Sequence, residues 1–281
     1  MSRHPAREEQ SIFHGTMADM TYPEIEQASR DGAVVLWALG VIEQHGPHLP
    51  LGTDVYVPTA RLRRVQRGLG TRGIKAVIAP PCYWGVNFVT GLFPGTFHVR
   101  PEILVELMLD VFRSLRKDGF QQVFCFSGHG EARHNVTIDE GVRRGRAEVG
   151  LDAHVVLSQA LLKRLGLEPG QPHMVVTPAE RPSGKFMDVH AGAWETSVVW
   201  ASYPDLVRTD IVPTLRSTDF TAADLAEWRQ GGEAALRKTP DGYLGDPAAA
   251  SPEAGLRALD EEAEAMVEAI ARAVAGKSRK A

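Results

Sequence analysis

Val41-Ile42-Glu43-Gln44-His45-Gly46-Pro47-His48-Leu49-Pro50-Leu51-Gly52-Thr53-Asp54 is the stretch on which the reading of this chain turns. It follows Ala33-Val34-Val35-Leu36-Trp37-Ala38-Leu39, an apolar run with the length and composition of a strand buried on both faces. Gly46, Pro47, Pro50 and Gly52 keep the stretch out of a helix. Glu43, His45 and Asp54, with His48 beside them, therefore crowd the end of a strand. Open α/β sheets place their ligand sites at such ends.

Working outward, the same alternation repeats. Thr21-Tyr22-Pro23-Glu24 reads as a helix start, with a capping threonine, an early proline and an acidic first turn. Residues 54–69 carry Val57, Ala60, Leu62 and Val65 at helical spacing. Residues 75–79 form a second short strand stopped by Pro80-Pro81. Residues 101–117 form an amphipathic helix ended by Asp118-Gly119. Residues 121–126 give a third strand that runs into Ser127-Gly128-His129-Gly130-Glu131, and a helical pattern continues to Val149. Residues 152–157 give a fourth strand. Helix and strand in alternation imply a mostly parallel sheet with helices on both faces, an α/β fold of three layers, α/β/α.

Between the second strand and its helix lies a long Gly-rich and aromatic loop, residues 82–99, expected to form a wall or lid over a pocket. Residues 166–189 read as irregular. The segment Val189–Ser197 is expected to open a helix running to about Ser202, with another near 222–237 and a last one announced by Ser251-Pro252-Glu253. Residues 1–15 read as a flexible arm, and residues 16–281 as a single domain.

The 281 residues are 43% hydrophobic and 23% charged, with net charge -4. That balance offers no electrostatic footprint for nucleic acid or an anionic membrane. No apolar run approaches the ~20 residues of a membrane span. The charged N-terminus lacks an apolar signal core, and Cys82 and Cys125 sit outside any Cys-x-x-Cys pattern. A cytoplasmic enzyme acting on a small molecule is the expectation.

Three clusters carry the chemistry: Glu43-x-His45 with Asp54, His129-x-Glu131, and His190 with Glu195. One such pair alone is ordinarily a solvated loop. Three at strand ends or helix starts are a coincidence that convergence on one site explains. Imidazoles mixed with carboxylates and no thiolate suit Zn, Mn or Fe. The carboxylates exceed what one catalytic zinc uses, which suits two ions with a bridging carboxylate and a hydroxide held between them.

The stretch from Glu43 to Asp54 also resembles the signature of the creatininase family of metal-dependent amidohydrolases. Ser127-Gly128-His129-Gly130-Glu131 is similar to that family's Asn-Gly-His segment. His190-Ala191-Gly192-x-x-Glu195-Thr196-Ser197 is similar to its His-Ala-Gly…Glu-Thr-Ser segment, and Phe93-Pro94-Gly95-Thr96 matches a further element. The resemblance implies a three-layer α/β/α domain, two divalent ions per chain (zinc first, then manganese or iron) and a homohexamer. It implies Glu43, Asp54 and His129 as ligands of one ion, and His45, Asp54 and Glu131 as ligands of the other. His190 would be the general acid/base. Glu195 is the alternative ligand or stands behind the ligands, as does His48. Trp84, Asn87, Gly130, Phe186 and Asp188 are the candidate pocket residues.

The reaction implied is hydrolysis of a small polar cyclic amide. A ring-opening C–C hydrolase of a keto-inositol type, a formamide or peptide amidohydrolase, and an inactive metal-binding scaffold are the alternatives. Residues 186–189 read Phe-Met-Asp-Val where creatininase has a Trp-Asp pair and a glutamate before its histidine. That difference argues against creatinine as the substrate.

Overall fold

The computed structural model describes residues 11–178 and 187–278. Its strands are β1 (Val34–Leu39), β2 (Ala76–Ile78), β3 (Gln122–Ser127), β4 (Asp152–Ser158) and β5 (Met174–Thr177). They form one sheet in the order β2-β1-β3-β4-β5, every pair parallel. Leu36 of β1 pairs with Ile78 on one side and Phe124 on the other, so β1 is a central strand.

The strands alternate between two apolar layers, as a sheet covered on both faces requires. Val35, Trp37 and Leu39 point into one layer with Val123, Cys125 and Val155. There they meet Leu104, Met108 and Phe112 of α3 (Pro101–Lys117) and Ile138 and Val142 of α4 (Ala132–Arg144). Val34, Leu36 and Ala38 point the other way with Phe124, Phe126 and Val156. There they meet Leu62, Val65 and Leu69 of α2 (Thr53–Thr71) and Val267 and Ile270 of α9 (Pro252–Ser278). The three layers expected from the sequence are present.

The chain leaves β1 to form β2 on one side, then crosses to form β3 on the other. The carboxyl ends of β1 and β3 therefore flank the point where the sheet order reverses, the usual ligand crevice of open α/β sheets. Both metal-type clusters from the first half of the chain emerge there.

The structure departs from the sequence reading at several elements. β5 lies within the span read as irregular. The helix α5 (Gln159–Leu165) follows β4 directly. The single helix expected over 222–237 is two short ones, α7 (Ala222–Trp228) and α8 (Glu233–Lys238), because Gly231 and Gly232 both take positive φ. Residues 1–10 of the expected arm lie outside the described residues. Residues 11–15 form turns, where the Arg63 guanidinium donates to the carbonyls of Ser11 and His14. Among the described residues no helix is long and apolar enough to cross a membrane.

Candidate metal centre

Asp54 sits in the first turn of α2, where the positive end of the helix favours a carboxylate. Pro58 lies four residues on and has no N–H, so the Asp54 carbonyl has no intrahelical donor at that position. That carbonyl is wedged between the ends of β1 and β3. A Cβ on Gly40 would lie 2.1 Å from it, and one on Gly128 2.0 Å. Only glycine at both positions lets α2 start this close to the sheet, and the close start carries Asp54 between Glu43 and His129.

The two oxygens of Asp54 face two different histidines. Oδ2 is 2.8 Å from His129 Nδ1, and Oδ1 is 3.4 Å from His45 Nε2. Glu43 Oε1 stands 3.0 Å from the same His129 Nδ1. The ligand atoms of Glu43, Asp54 and His129 all lie within 4.8 Å of one another, and so do those of His45, Asp54 and Glu195. Asp54 is common to both sets. Glu43, His45, Asp54 and His129 are all buried.

One ring nitrogen of each histidine is turned toward Asp54. His45 Nδ1 donates to the Glu43 carbonyl at 3.1 Å, which turns Nε2 toward Asp54 and, at 3.8 Å, Glu195. His129 Nε2 faces Glu131 at 3.8 Å, which leaves Nδ1 for the Asp54 side. Glu43 Oε1 and His45 Nε2 are buried without a well-formed hydrogen bond. Buried polar atoms left open in this way, converging from imidazoles and carboxylates, fit a divalent cation.

The electrostatics point the same way. Burial alone would push the Asp54 carboxyl up, but the facing His45 and His129 hold it well below the usual carboxylate range. Burial opposes a charge on His45, yet Asp54 and then Glu195 and Glu43 raise it to about 9. His129 is raised well above the ordinary imidazole value against the same burial, chiefly by Glu43 and Asp54. The carboxylates demand positive charge, and without cations the imidazoles supply it.

Glu131 stands beside His129 and is not in the set that contains His45. It is the N-cap of α4, and its Oε2 accepts from the amides of Phe88 at 2.7 Å and Val89 at 2.9 Å. Glu195, in the first turn of α6 (Ala193–Ser202), occupies the position beside His45 instead. Its Oε2 accepts from the Ala191 amide at 2.5 Å, and Ala191 takes a left-handed φ of 49° to present that amide.

His190 lies at the rim of the cluster, its ring 4.4 Å from that of His45. Its Nε2 is 2.8 Å from the Gln44 main-chain carbonyl, an acceptor, and 3.1 Å from the Gln44 side-chain nitrogen, a donor, so either tautomer finds a partner there. Nδ1 stands 3.7 Å from Glu43 Oε1. Burial and the neighbouring His45 lower the His190 pKa, which favours the neutral ring. His48 is buried against Thr196, Nε2 to Oγ1 at 2.8 Å, and packs edge-on to Tyr243. Burial and His45 push it down to about 4, so it braces the site as a neutral group.

The expected pocket residues divide. Trp84 is exposed and stacks edge-on with Phe97 at 5.5 Å. Gly130 is exposed, and a Cβ there would meet nothing within 4 Å, so the approach beside His129 is open. Asn87 is buried, and its carboxamide lies 3.0 Å from the Thr90 hydroxyl, which also donates to Glu43 Oε2. Asp188 is half-buried and accepts from the Trp194 amide at 2.7 Å in the first turn of α6. Phe186 lies outside the described residues.

Sequence reasoning passed over Gln44, Thr90 and Trp228. Trp228 leans on the His190 ring with centroids 5.9 Å apart. No local pattern marks it, because it arrives from the last hundred residues of the chain.

A profile described as creatininase, creatinine amidohydrolase, matches residues 18–270. The chain belongs to the creatininase family. Among its curated relatives is a mycofactocin precursor peptide peptidase of Mycobacterium ulcerans (strain Agy99), 35% identical over 247 residues, 85% of this chain and 84% of that one. A creatinine amidohydrolase of Pseudomonas putida is 28% identical over 210 residues, 72% of this chain and 76% of that one. A solved creatininase described as a Zn-Zn type superposes with a TM-score of 0.66 at 26% identity, covering 96% of this chain and 99% of that one. As a creatininase-family chain with relatives named as a peptidase and an amidohydrolase, this protein is a metal-dependent hydrolase.

Proposed function

We propose that this creatininase-family chain is a dinuclear amidohydrolase that cleaves a peptide-type C–N bond. Glu43, Asp54 and His129 would hold one divalent ion, and His45, Asp54 and Glu195 the other. The observation that carries this reading is Asp54, whose two carboxylate oxygens each face a histidine of a different set. Glu195 replaces Glu131 in the second set because its carboxylate reaches His45 and that of Glu131 does not.

Ions held there supply charge that polarises a carbonyl and acidifies water. The chain's own residues do the rest. His190 faces the cluster, and its neutral ring would take a proton from the attacking water and return it to the departing nitrogen. Gln44 holds Nε2 and Trp228 packs against the ring, which together set its orientation.

For the substrate, the peptide reading now stands ahead of the small cyclic amide. The 35% relative is named as a peptide peptidase, against 28% for the creatinine enzyme. The open space at Gly130 leaves room for a chain longer than a compact ring. A hydrolysis screen of the metal-loaded protein against linear peptides, cyclic amides and cyclic ketones tests this. Release of new amino termini from peptides is expected. Turnover confined to cyclic amides or ketones would overturn the substrate assignment and leave the metal reading standing. The hexamer implied by the family resemblance is tested by the mass of the protein in solution.

A further inference from the structure

Within the dinuclear reading proposed above, the two metal sets are braced by different parts of the chain. The Glu43–Asp54–His129 set takes its outer support from one loop, residues 87–90. Thr90 Oγ1 donates to Glu43 Oε2, while Oε1 is buried without a well-formed hydrogen bond on the side of His129. Asn87 sits 3.0 Å from that hydroxyl and is fully buried with it. The next two residues brace the other ligand. The amides of Phe88 and Val89 hold Glu131 Oε2, and Glu131 in turn faces His129 Nε2 at 3.8 Å. At 3.8 Å the Glu131 carboxylate acts on the His129 ring through its charge, without a hydrogen bond.

Among the described residues, His45 and Glu195 take no hydrogen bond from residues 87–90; the nearest support from the wider loop is Thr96, which accepts from the Gln44 amide at 3.1 Å. Support for the His45–Asp54–Glu195 set comes from the Glu43 carbonyl on His45 Nδ1 and from the Ala191 amide on Glu195. The loop is fixed at further points: the Val86 amide donates to His134 Nδ1 at 3.3 Å, and the Asn87 amide to His98 Nδ1 at 3.1 Å. Beyond these anchors it carries the exposed aromatics Trp84, Phe88 and Phe97, an aromatic rim on the same loop.

We infer that Thr90 and the adjoining amides are positioning groups for one ion only, so that occupancy of the Glu43–His129 site and ordering of the aromatic rim are a single coupled event. The rim is then assembled by the same ion that Glu43 and His129 bind. Loss of that ion loosens the rim, while loss of the other does not.

The test is a zinc titration of the metal-free protein against a chromophoric chelator, in wild type, Thr90→Val and Thr90→Ser. Outer-shell groups of this kind are worth roughly 10–100-fold in metal affinity. Thr90→Val is expected to weaken one of two binding steps by about that factor and leave the other unchanged, and Thr90→Ser, which keeps the hydroxyl, to restore it. In the wild-type protein, hydrogen exchange at the amides of Phe88 and Val89 is expected to slow as that step saturates. This readout needs no variant to fold. Equal weakening of both steps, no weakening, failure of serine to rescue, or zinc-insensitive exchange at 87–90 would each overturn the inference. A wild-type protein that takes up one ion refutes the dinuclear reading separately. Thr90→Val must then weaken that single ion at least about tenfold, or this inference fails as well.

Discussion

Metal binding to this site is expected to expel protons, and the structure says how many. His45 holds its proton with a pKa of about 9 against an ordinary 6.5, which is about 3 kcal/mol of extra retention. His129 is also raised well above the ordinary value, by Glu43 and Asp54. At pH 7 the His45 imidazole is therefore almost fully protonated in the metal-free chain, and His129 is shifted in the same direction. A cation needs the lone pair of His45 Nε2 and of His129 Nδ1, so each ion displaces one proton. The carboxylates contribute none, because Asp54, Glu43 and Glu131 are all held below their usual values. Calorimetry in buffers of different ionisation enthalpy should therefore show no fewer than about two protons released per chain at pH 7. Apparent affinity for each ion should rise about tenfold per pH unit between pH 6 and 8. Affinity that is flat with pH over that range would refute the reasoning, because the histidines would then not be the ligands.

Other outcomes follow from individual contacts. His190→Ala should keep both ions by metal analysis and lose turnover by about 10²–10⁴-fold, the usual worth of a positioned acid/base. Glu195→Gln should lose one ion, whereas Glu131→Gln should keep both at roughly 10–100-fold weaker affinity on the His129 side; equilibrium dialysis of the two variants separates the roles. Gly128→Ala drives a Cβ to 2.0 Å from the Asp54 carbonyl and should cost about 1–3 kcal/mol in denaturant unfolding. Gly130→Ala, with nothing within 4 Å, should be close to neutral for stability.

Four of the five strands were legible because a strand buried on both faces must be written as an unbroken apolar run. β5 escaped for the opposite reason. It is four residues at the sheet edge with alternating burial, preceded by Gly170 and Pro172, and nothing in Met174–Thr177 distinguishes it from a loop. The alternation of elements placed Glu43, Asp54 and His129 at adjacent strand ends. Spacing alone did not choose between Glu131 and Glu195. Its separation from His129 by one residue in an extended segment puts both side chains on one side, and both are indeed beside the site. Which carboxylate reached His45 depended on the left-handed turn at Ala191, a backbone state that alanine does not advertise. Loop 82–99 was read as wall or lid from its aromatics. Its bonds to Glu43 and Glu131 make it a wall, and those bonds run through Thr90 and two main-chain amides, groups that no side-chain pattern reveals.

The central claim is that Asp54 is shared by two ions, and counting metal tests it most directly. Purified wild-type protein and Asp54→Ala, each dialysed against zinc and measured by elemental analysis, should hold about two ions per chain and essentially none. One ion in the wild type, or two retained by Asp54→Ala, would contradict it.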